Sequence, residues 1–124
     1  MRKKILLADD SQATRQLIGL YLKELKEIDI IYAQNGLEAM VTLGKEDIDL
    51  LITDVIMPFV DGFKLVSYVR NTPSMKDVPI IIITQKGEEK DCKQGYFVGS
   101  NAYLVKPIKK SELITKVTAL LSAQ

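Results

Sequence analysis

The chain has 124 residues, 47% of them hydrophobic and 27% charged, a length and balance that suit one buried core and exclude a disordered chain or a string of domains. Seventeen basic residues (Lys+Arg 17) stand against 16 acidic ones, a formal net charge of +1, so no overall excess of charge draws the surface toward nucleic acid. Histidine is absent and Cys92 is the single cysteine, which removes an internal disulfide, a multi-cysteine metal site and any chemistry that runs through the chain's own imidazole.

The opening MRKKILLADD has the basic flank of an export signal, but two aspartates break its apolar stretch after four residues, too soon for secretion. No run approaches the length of a membrane-spanning helix, and a reducing, cytoplasmic setting is expected. Residues 4–8 predict a first strand, followed by a helix in which Ala13, Leu17, Ile18, Tyr21, Leu22 and Leu25 recur at helical spacing behind a cap at Asp10 or Ser11. A second strand, residues 30–33, leads to Asn35-Gly36 and then to Leu37, Met40, Val41 and Leu43. Asn-Gly often marks a hairpin, yet helical periodicity follows, so Asn35 is read as a helix cap.

The third strand, residues 49–53, ends at Asp54 and passes into the loop VIMPFVDG, where Pro58 and Asp61-Gly62 signal turns. Phe63, Val66 and Val69 mark one face of the next helix, which stops near Asn71-Thr72-Pro73 because proline disfavours a helical residue before it. The fourth strand, residues 79–83, ends at Thr84; Gln85-Lys86-Gly87 then opens a fourth helix with Glu88 and Glu89 in its first turn and Gly99-Ser100 at its close. A fifth strand, residues 102–105, runs through Lys106-Pro107 into a last helix with Leu113, Val117, Leu120 and Leu121 as its buried stripe.

Short runs rich in Ile, Leu and Val are the strands of parallel sheets, buried on both faces. Five of them alternating with five helices predict an α/β fold: a three-layer, doubly wound (βα)5 sandwich with right-handed crossovers, one domain over residues 1–124. Strand order does not follow from the pattern alone.

Polar residues stand where the apolar runs stop: Asp9 and Asp10, Asp54, Thr84 and Lys106. Singly, each has a structural explanation as a helix cap, a turn aspartate, a β-branched strand residue or a solvated turn lysine. Jointly they share the carboxyl edge of the sheet, where open α/β sheets bind ligands. Three clustered carboxylates repel, and a divalent cation relieves that repulsion. Oxygen donors without His or Cys favour Mg²⁺. An aspartate beside Mg²⁺ can attack phosphorus and form an aspartyl phosphate, with Lys106 neutralising one phosphoryl oxygen and the Thr84 hydroxyl donating to another.

The stretches LLADDS, DVIMPFVDG, PIIIIT and GSNAYLVKP, in that order and spacing, resemble the receiver domain of the two-component response regulator family over essentially the whole chain. The sheet-edge rule is itself illustrated by members of that family, so its agreement here is not independent support. The resemblance implies a flavodoxin-like strand order 2-1-3-4-5 and a bacterial, phosphorylation-controlled signalling switch, an element of a phosphorelay. Asp54 would accept a phosphoryl group from a histidine kinase or histidine phosphotransfer protein. Asp10, helped by Asp9 largely through water, would hold Mg²⁺ with Asp54 and the backbone carbonyl of Ile56. Lys106 would contact the phosphoryl group, with a cis Lys106-Pro107 bond. Thr84 and Tyr103 would form the switch pair, and Pro58 and Gly62 would shape the loop.

The same resemblance implies self-catalysed phosphoryl transfer and autodephosphorylation in place of enzymatic turnover on other molecules. An output partner would dock on the face made by the fourth helix, the fifth strand and the last helix, without direct nucleic-acid or membrane binding. Lys90, Lys93, Lys109, Lys110 and Lys116 on that face point to an acidic partner. Two departures from the family pattern stand out. Gln85 replaces a usually small residue, and the apolar Ile56 stands where several relatives carry a polar residue, which predicts slower loss of phosphate. Two other classes stay open: an Asp-nucleophile phosphohydrolase, which usually needs an acid where Ile56 stands, and a phosphate-independent interaction module.

Overall fold

Apolar runs form the middle of the molecule. The computed structural model describes residues 2–85 and 99–123, with strands β1 (Lys3–Ala8), β2 (Ile28–Ala33), β3 (Leu50–Asp54), β4 (Ile80–Thr84) and β5 (Ala102–Val105). Its helices are α1 (Gln12–Leu22), α2 (Gly36–Lys45), α3 (Gly62–Arg70) and α4 (Lys110–Ser122). The expected helix after Gln85, with Glu88, Glu89, Lys90 and Lys93, lies outside the described residues, as does Cys92.

All strand pairs are parallel and the order is β2-β1-β3-β4-β5, the order that the family resemblance implies. Side chains alternate between the two faces, and each face carries its own core. Leu6, Leu51, Ile80 and Ile82 pack with Leu43, Leu65, Val66 and Val69 of α2 and α3. Ile5, Leu7, Leu50, Ile52, Ile81 and Ile83 pack with Ile18 and Leu22 of α1 and with Leu113 and Val117 of α4. Each such side chain contributes roughly 1.5–3 kcal/mol by leaving water, set against the entropy of ordering the chain.

Side-chain caps close three helix starts. Ser11, not Asp10, caps α1, its hydroxyl accepting from the Thr14 N–H at 3.2 Å. Asn35 accepts from Glu38 N–H at 2.8 Å, and Asp61 from Lys64 N–H at 2.8 Å, each satisfying an orphan donor of the first turn.

The helix periods are as expected, but their phase is corrected at four positions: Ala13 is exposed, as are the three that follow, and Leu25 lies past the end of α1. Leu17 is 40% exposed, and Leu37 and Val41 are 51% and 50% exposed. The residues that face inward are Ile18, Gly19 and Leu22 in α1, and Gly36, Ala39 and Leu43 in α2. The reason is close approach: a Cβ on Gly36 would strike the Val60 carbonyl, so the smallest residue takes the tightest place. The face expected on α3 is corrected likewise: Leu65, Val66 and Val69 are buried and Phe63 only partly so, while on α4 Leu120 and Leu121 are half-buried beside a fully buried Leu113 and Val117.

Candidate functional site

Strand register assembles the site. Ala8 lies opposite Thr53, so one further step sets Asp9 beside Asp54. Asp54 lies opposite Ile83 and Thr84 opposite Val105, so one more step sets Thr84 and Lys106 at the same edge. Asp54 and Thr84 are the last residues of their strands, one position beyond the apolar runs, because ladder pairing continues through them. The Lys106 N–H donates to the Thr84 carbonyl at 2.7 Å, and the Val55 N–H to the Ile83 carbonyl at 3.2 Å.

Asp9 is fully buried. Its Oδ1 accepts from the Ser11 N–H at 2.8 Å, and its carbonyl accepts from Arg15 Nη1 at 2.6 Å. Its Oδ2 is buried without a hydrogen-bond partner. Asp54 is 6% exposed, and its Oδ1 accepts from the Val55 N–H at 2.8 Å. Asp10 is exposed, yet it offers a carboxylate oxygen that lies, with those of Asp9 and Asp54, inside a cluster of 4.8 Å.

Among the described residues one ammonium faces these carboxylates: Lys106 Nζ is 3.4 Å from Asp9 Oδ2 and 3.4 Å from Asp54 Oδ2. Charge-assisted N–H···O bonds normally close to about 2.7–2.9 Å, so the ammonium is shared and neither contact is tight. The electrostatic result is seen at Asp54, whose carboxyl is pushed up to about 6, first by burial and then by the charge of Asp9. Lys106 and the Val55 N–H pull the other way and do not prevail.

These residues fit a divalent cation. The buried Oδ2 of Asp9 has the loose Lys106 ion pair but no hydrogen bond, the ligand set is all oxygen, and among the described residues one ammonium does not offset three carboxylates.

Thr84 is fully buried, and its hydroxyl reaches the Gln85 carbonyl at 3.5 Å. Tyr103 is half-buried and packs against the core under α2 and α3. It lies opposite Ile82, and alternation along β4 gives Ile82 and Thr84 the same face. The expected switch pair therefore shares one side of the sheet. Lys106-Pro107 is cis.

The loop after β3 folds back on its own start, with the Gly62 N–H donating to the Val55 carbonyl at 2.7 Å. A Cβ on Gly62 would collide with the Asp54 carbonyl, so glycine permits this closure. Thr53 Oγ1 donates to the same Asp54 carbonyl at 3.0 Å. At the loop's outer rim Ile56 is 63% exposed and Phe59 is 79% exposed, while Gln85 is exposed beyond Thr84.

Sequence reasoning passed over the groups that support Asp9. Ser11 was a candidate cap, but its backbone N–H and the Arg15 guanidinium also fix the Asp9 main chain and carboxylate. Helical spacing alone sets Arg15 one turn beyond Ser11, the only advance signal.

Three comparisons bear on this geometry. A family model described as the response regulator receiver domain matches residues 5–118. Among curated proteins, the transcriptional regulatory protein ResD of Bacillus subtilis is 38% identical over 118 residues, 95% of this chain and 48% of that protein. The transcriptional regulatory protein SrrA of Staphylococcus aureus is 34% identical over 98% of this chain and 48% of its own length. The chain thus spans about half the length of these relatives. Among solved structures, the chemotaxis response regulator CheY4 of Vibrio cholerae superposes with a TM-score of 0.88 at 30% identity, covering 97% of this chain and 99% of that one. The receiver domain of the Francisella response regulator 1452 gives 0.87 at 30% identity, covering 98% of each. With its sheet order, its acidic edge and a family match over nearly its whole length, the chain belongs to the response regulator receiver domain family.

Proposed function

We propose that this receiver is a switch set by phosphorylation of Asp54, with a histidine kinase or histidine phosphotransfer protein as donor. The observation that carries the reading is the charge imbalance around a recessed carboxylate. Asp54 is 6% exposed, its carboxyl is raised to about 6, and Asp9 keeps a buried oxygen beside it that no hydrogen bond satisfies. Asp10, Asp54 and the Ile56 backbone carbonyl would hold Mg²⁺, with Asp9 acting largely through water. Mg²⁺ so held supplies positive charge that keeps Asp54 ionised and offsets charge on the phosphoryl oxygens.

The Asp54 carboxylate then attacks phosphorus in line. Its new O–P bond forms as the P–N bond to the donor imidazole breaks, and the electron pair returns to that nitrogen. Lys106, released from its two carboxylates, donates to one phosphoryl oxygen. The Thr84 hydroxyl donates to another, and Tyr103 turns inward on the same face. A bias of a few kcal/mol inverts such a two-state equilibrium. Water later hydrolyses the acyl phosphate without a second protein, at a rate set by the rim residues Ile56 and Gln85.

Residues 1–124 act as one receiver unit in a cytoplasmic phosphorelay; among the described residues no helix is long and apolar enough to cross a membrane. Its output face includes β5 and α4. There Lys110 is already paired with Glu24 of α1, which leaves Lys109 and Lys116 as the lysines of α4's first turns for an acidic partner. A phosphohydrolase is disfavoured by the apolar Ile56, and a phosphate-independent module by a buried carboxylate oxygen that packing alone would not retain.

The test is incubation with Mg²⁺ and phosphoramidate, then intact mass. One phosphoryl adduct is expected on wild type and none on Asp54→Asn. An adduct on both, or on neither, overturns the assignment.

A further inference from the structure

We infer that Phe59, with Ile56, is the apolar seat on which a phosphohistidine-bearing protein settles when it reaches Asp54. The inference rests on Asp54 being the acceptor.

Residues 56–61 form a tight excursion, since Gly62 closes onto the Val55 carbonyl and packs against the Asp54 carbonyl. Their tip stands at the carboxyl edge of the sheet, beside the acceptor. At that tip Phe59 holds a φ of 72°, a left-handed conformation in which glycine is at ease, asparagine is tolerated and a bulky side chain is strained. The residue is 79% exposed, so burial within this chain returns little. Both conformation and solvation therefore disfavour phenylalanine in the isolated domain. What the ring offers is contact with another surface.

The geometry of transfer identifies that surface. Asp54 is 6% exposed and the Lys106 side chain 15%, so the acceptor is recessed. A small phosphodonor enters the crevice without touching the rim. An imidazole carried on a folded protein reaches in only when the surrounding protein surface lies against the rim, where Ile56 and Phe59 project. Other exposed large apolar side chains among the described residues, such as Leu20 and Val41, lie on helices or on β2. The partner surface is therefore apolar where it flanks its phosphohistidine, and an aromatic ring buried at the centre of such a contact is a typical energetic anchor.

The experiment compares two donors on three chains. Wild type, Phe59→Asn and Phe59→Leu receive phosphate from phosphoramidate or from a phosphorylated histidine phosphotransfer domain chosen for measurable transfer to wild type. Phe59→Asn should lower the second-order rate from the protein donor about tenfold or more, while its phosphoramidate rate stays within about twofold. Phe59→Leu should recover most of the loss, because it restores apolar area without restoring the ring. Thermal unfolding of Phe59→Asn at or above the wild-type midpoint excludes misfolding as the cause. An unchanged protein-donor rate overturns the inference, and so does an equal fall with both donors, which would place Phe59 in the site chemistry. Failure of phosphoramidate to label wild-type Asp54 strikes the acceptor assignment instead.

Discussion

The two edges of the sheet treat their charges in opposite ways. At the amino edge every named polar group is closely paired. Asp49 Oδ2 accepts from the Lys4 N–H at 2.8 Å, Lys4 Nζ meets Glu46 at 2.8 Å, and Arg2 meets Asp29 at 2.8 Å. Arg70, from the end of α3, donates to the carbonyls of Gly99, Lys76 and Val78 and to Asn101 Oδ1, at 2.7–2.9 Å. That same Asn101 oxygen accepts from the Ile80 N–H, so one guanidinium fixes the entry to both β4 and β5. At the carboxyl edge, by contrast, one ammonium stands 3.4 Å from two carboxylates, and the buried Oδ2 of Asp9 has that loose ion pair but no hydrogen bond. Satisfied polar groups stabilise the fold, and unsatisfied ones are held in place by it for a ligand to complete. The first edge holds the sheet together; the second carries an electrostatic deficit.

The sharpest way to break this contrast is to neutralise the deficit. Asp54→Asn should abolish phosphoryl uptake altogether, read by intact mass after phosphoramidate treatment, while the fold survives by circular dichroism. Loss of the fold would mean that Asp54 belongs to the structural edge after all.

Next in size is a pH effect on metal-free protein. With the Asp54 carboxyl raised from 3.8 to about 6, the folded chain keeps a proton that the unfolded chain has released between those values. Stability from this group therefore falls as pH rises through that window, by on the order of 2–3 kcal/mol at neutral pH. Urea unfolding at pH 4.5 and pH 7 should show this decline in wild type. It should shrink in Asp54→Asn and on adding Mg²⁺. An identical profile in Asp54→Asn would remove the claim of an electrostatic deficit.

At the opposite edge Arg70→Ala should destabilise by about 2 kcal/mol, because it strands several carbonyls that the guanidinium satisfies. Phosphoramidate labelling at saturating Mg²⁺ should be unaffected. A labelling defect without loss of stability would show the two edges to be coupled. The smallest effect is expected at the rim: Ile56→Asn should speed phosphate loss several-fold by orienting the attacking water. Mass spectra taken over a decay course would measure it, and an unchanged half-life would dismiss Ile56 as a control point.

Much of this was legible in advance, for identifiable reasons. Apolar runs ending in polar residues gave the strands and the acidic edge, since burial on both faces leaves little else that such runs can do. Helix phase was misjudged at Ala13, Leu17, Leu37 and Val41 because several inward positions are taken by Gly19, Gly36 and Ala39. Hydrophobicity ranks those small residues low although space demands them. The pair Asp9-Asp10 was visible as a pair, but which one is buried depends on strand alternation at the β1 end. The reach of Arg70 joins residues 29 and 31 positions away, which no local pattern encodes. A left-handed Phe59 in the middle of MPFVD contradicts local preference, and only the closed loop reveals it.

The placement of Thr84 and Tyr103 on one side of the sheet gives the proposed switch a direction. Both belong to the side packed under α2 and α3, while the layer formed by α1 and α4 meets the other side through an uninterrupted apolar contact. On the proposed reading, news of an added phosphate would be routed to a single layer, with the opposite layer serving as the anvil against which the moving part works.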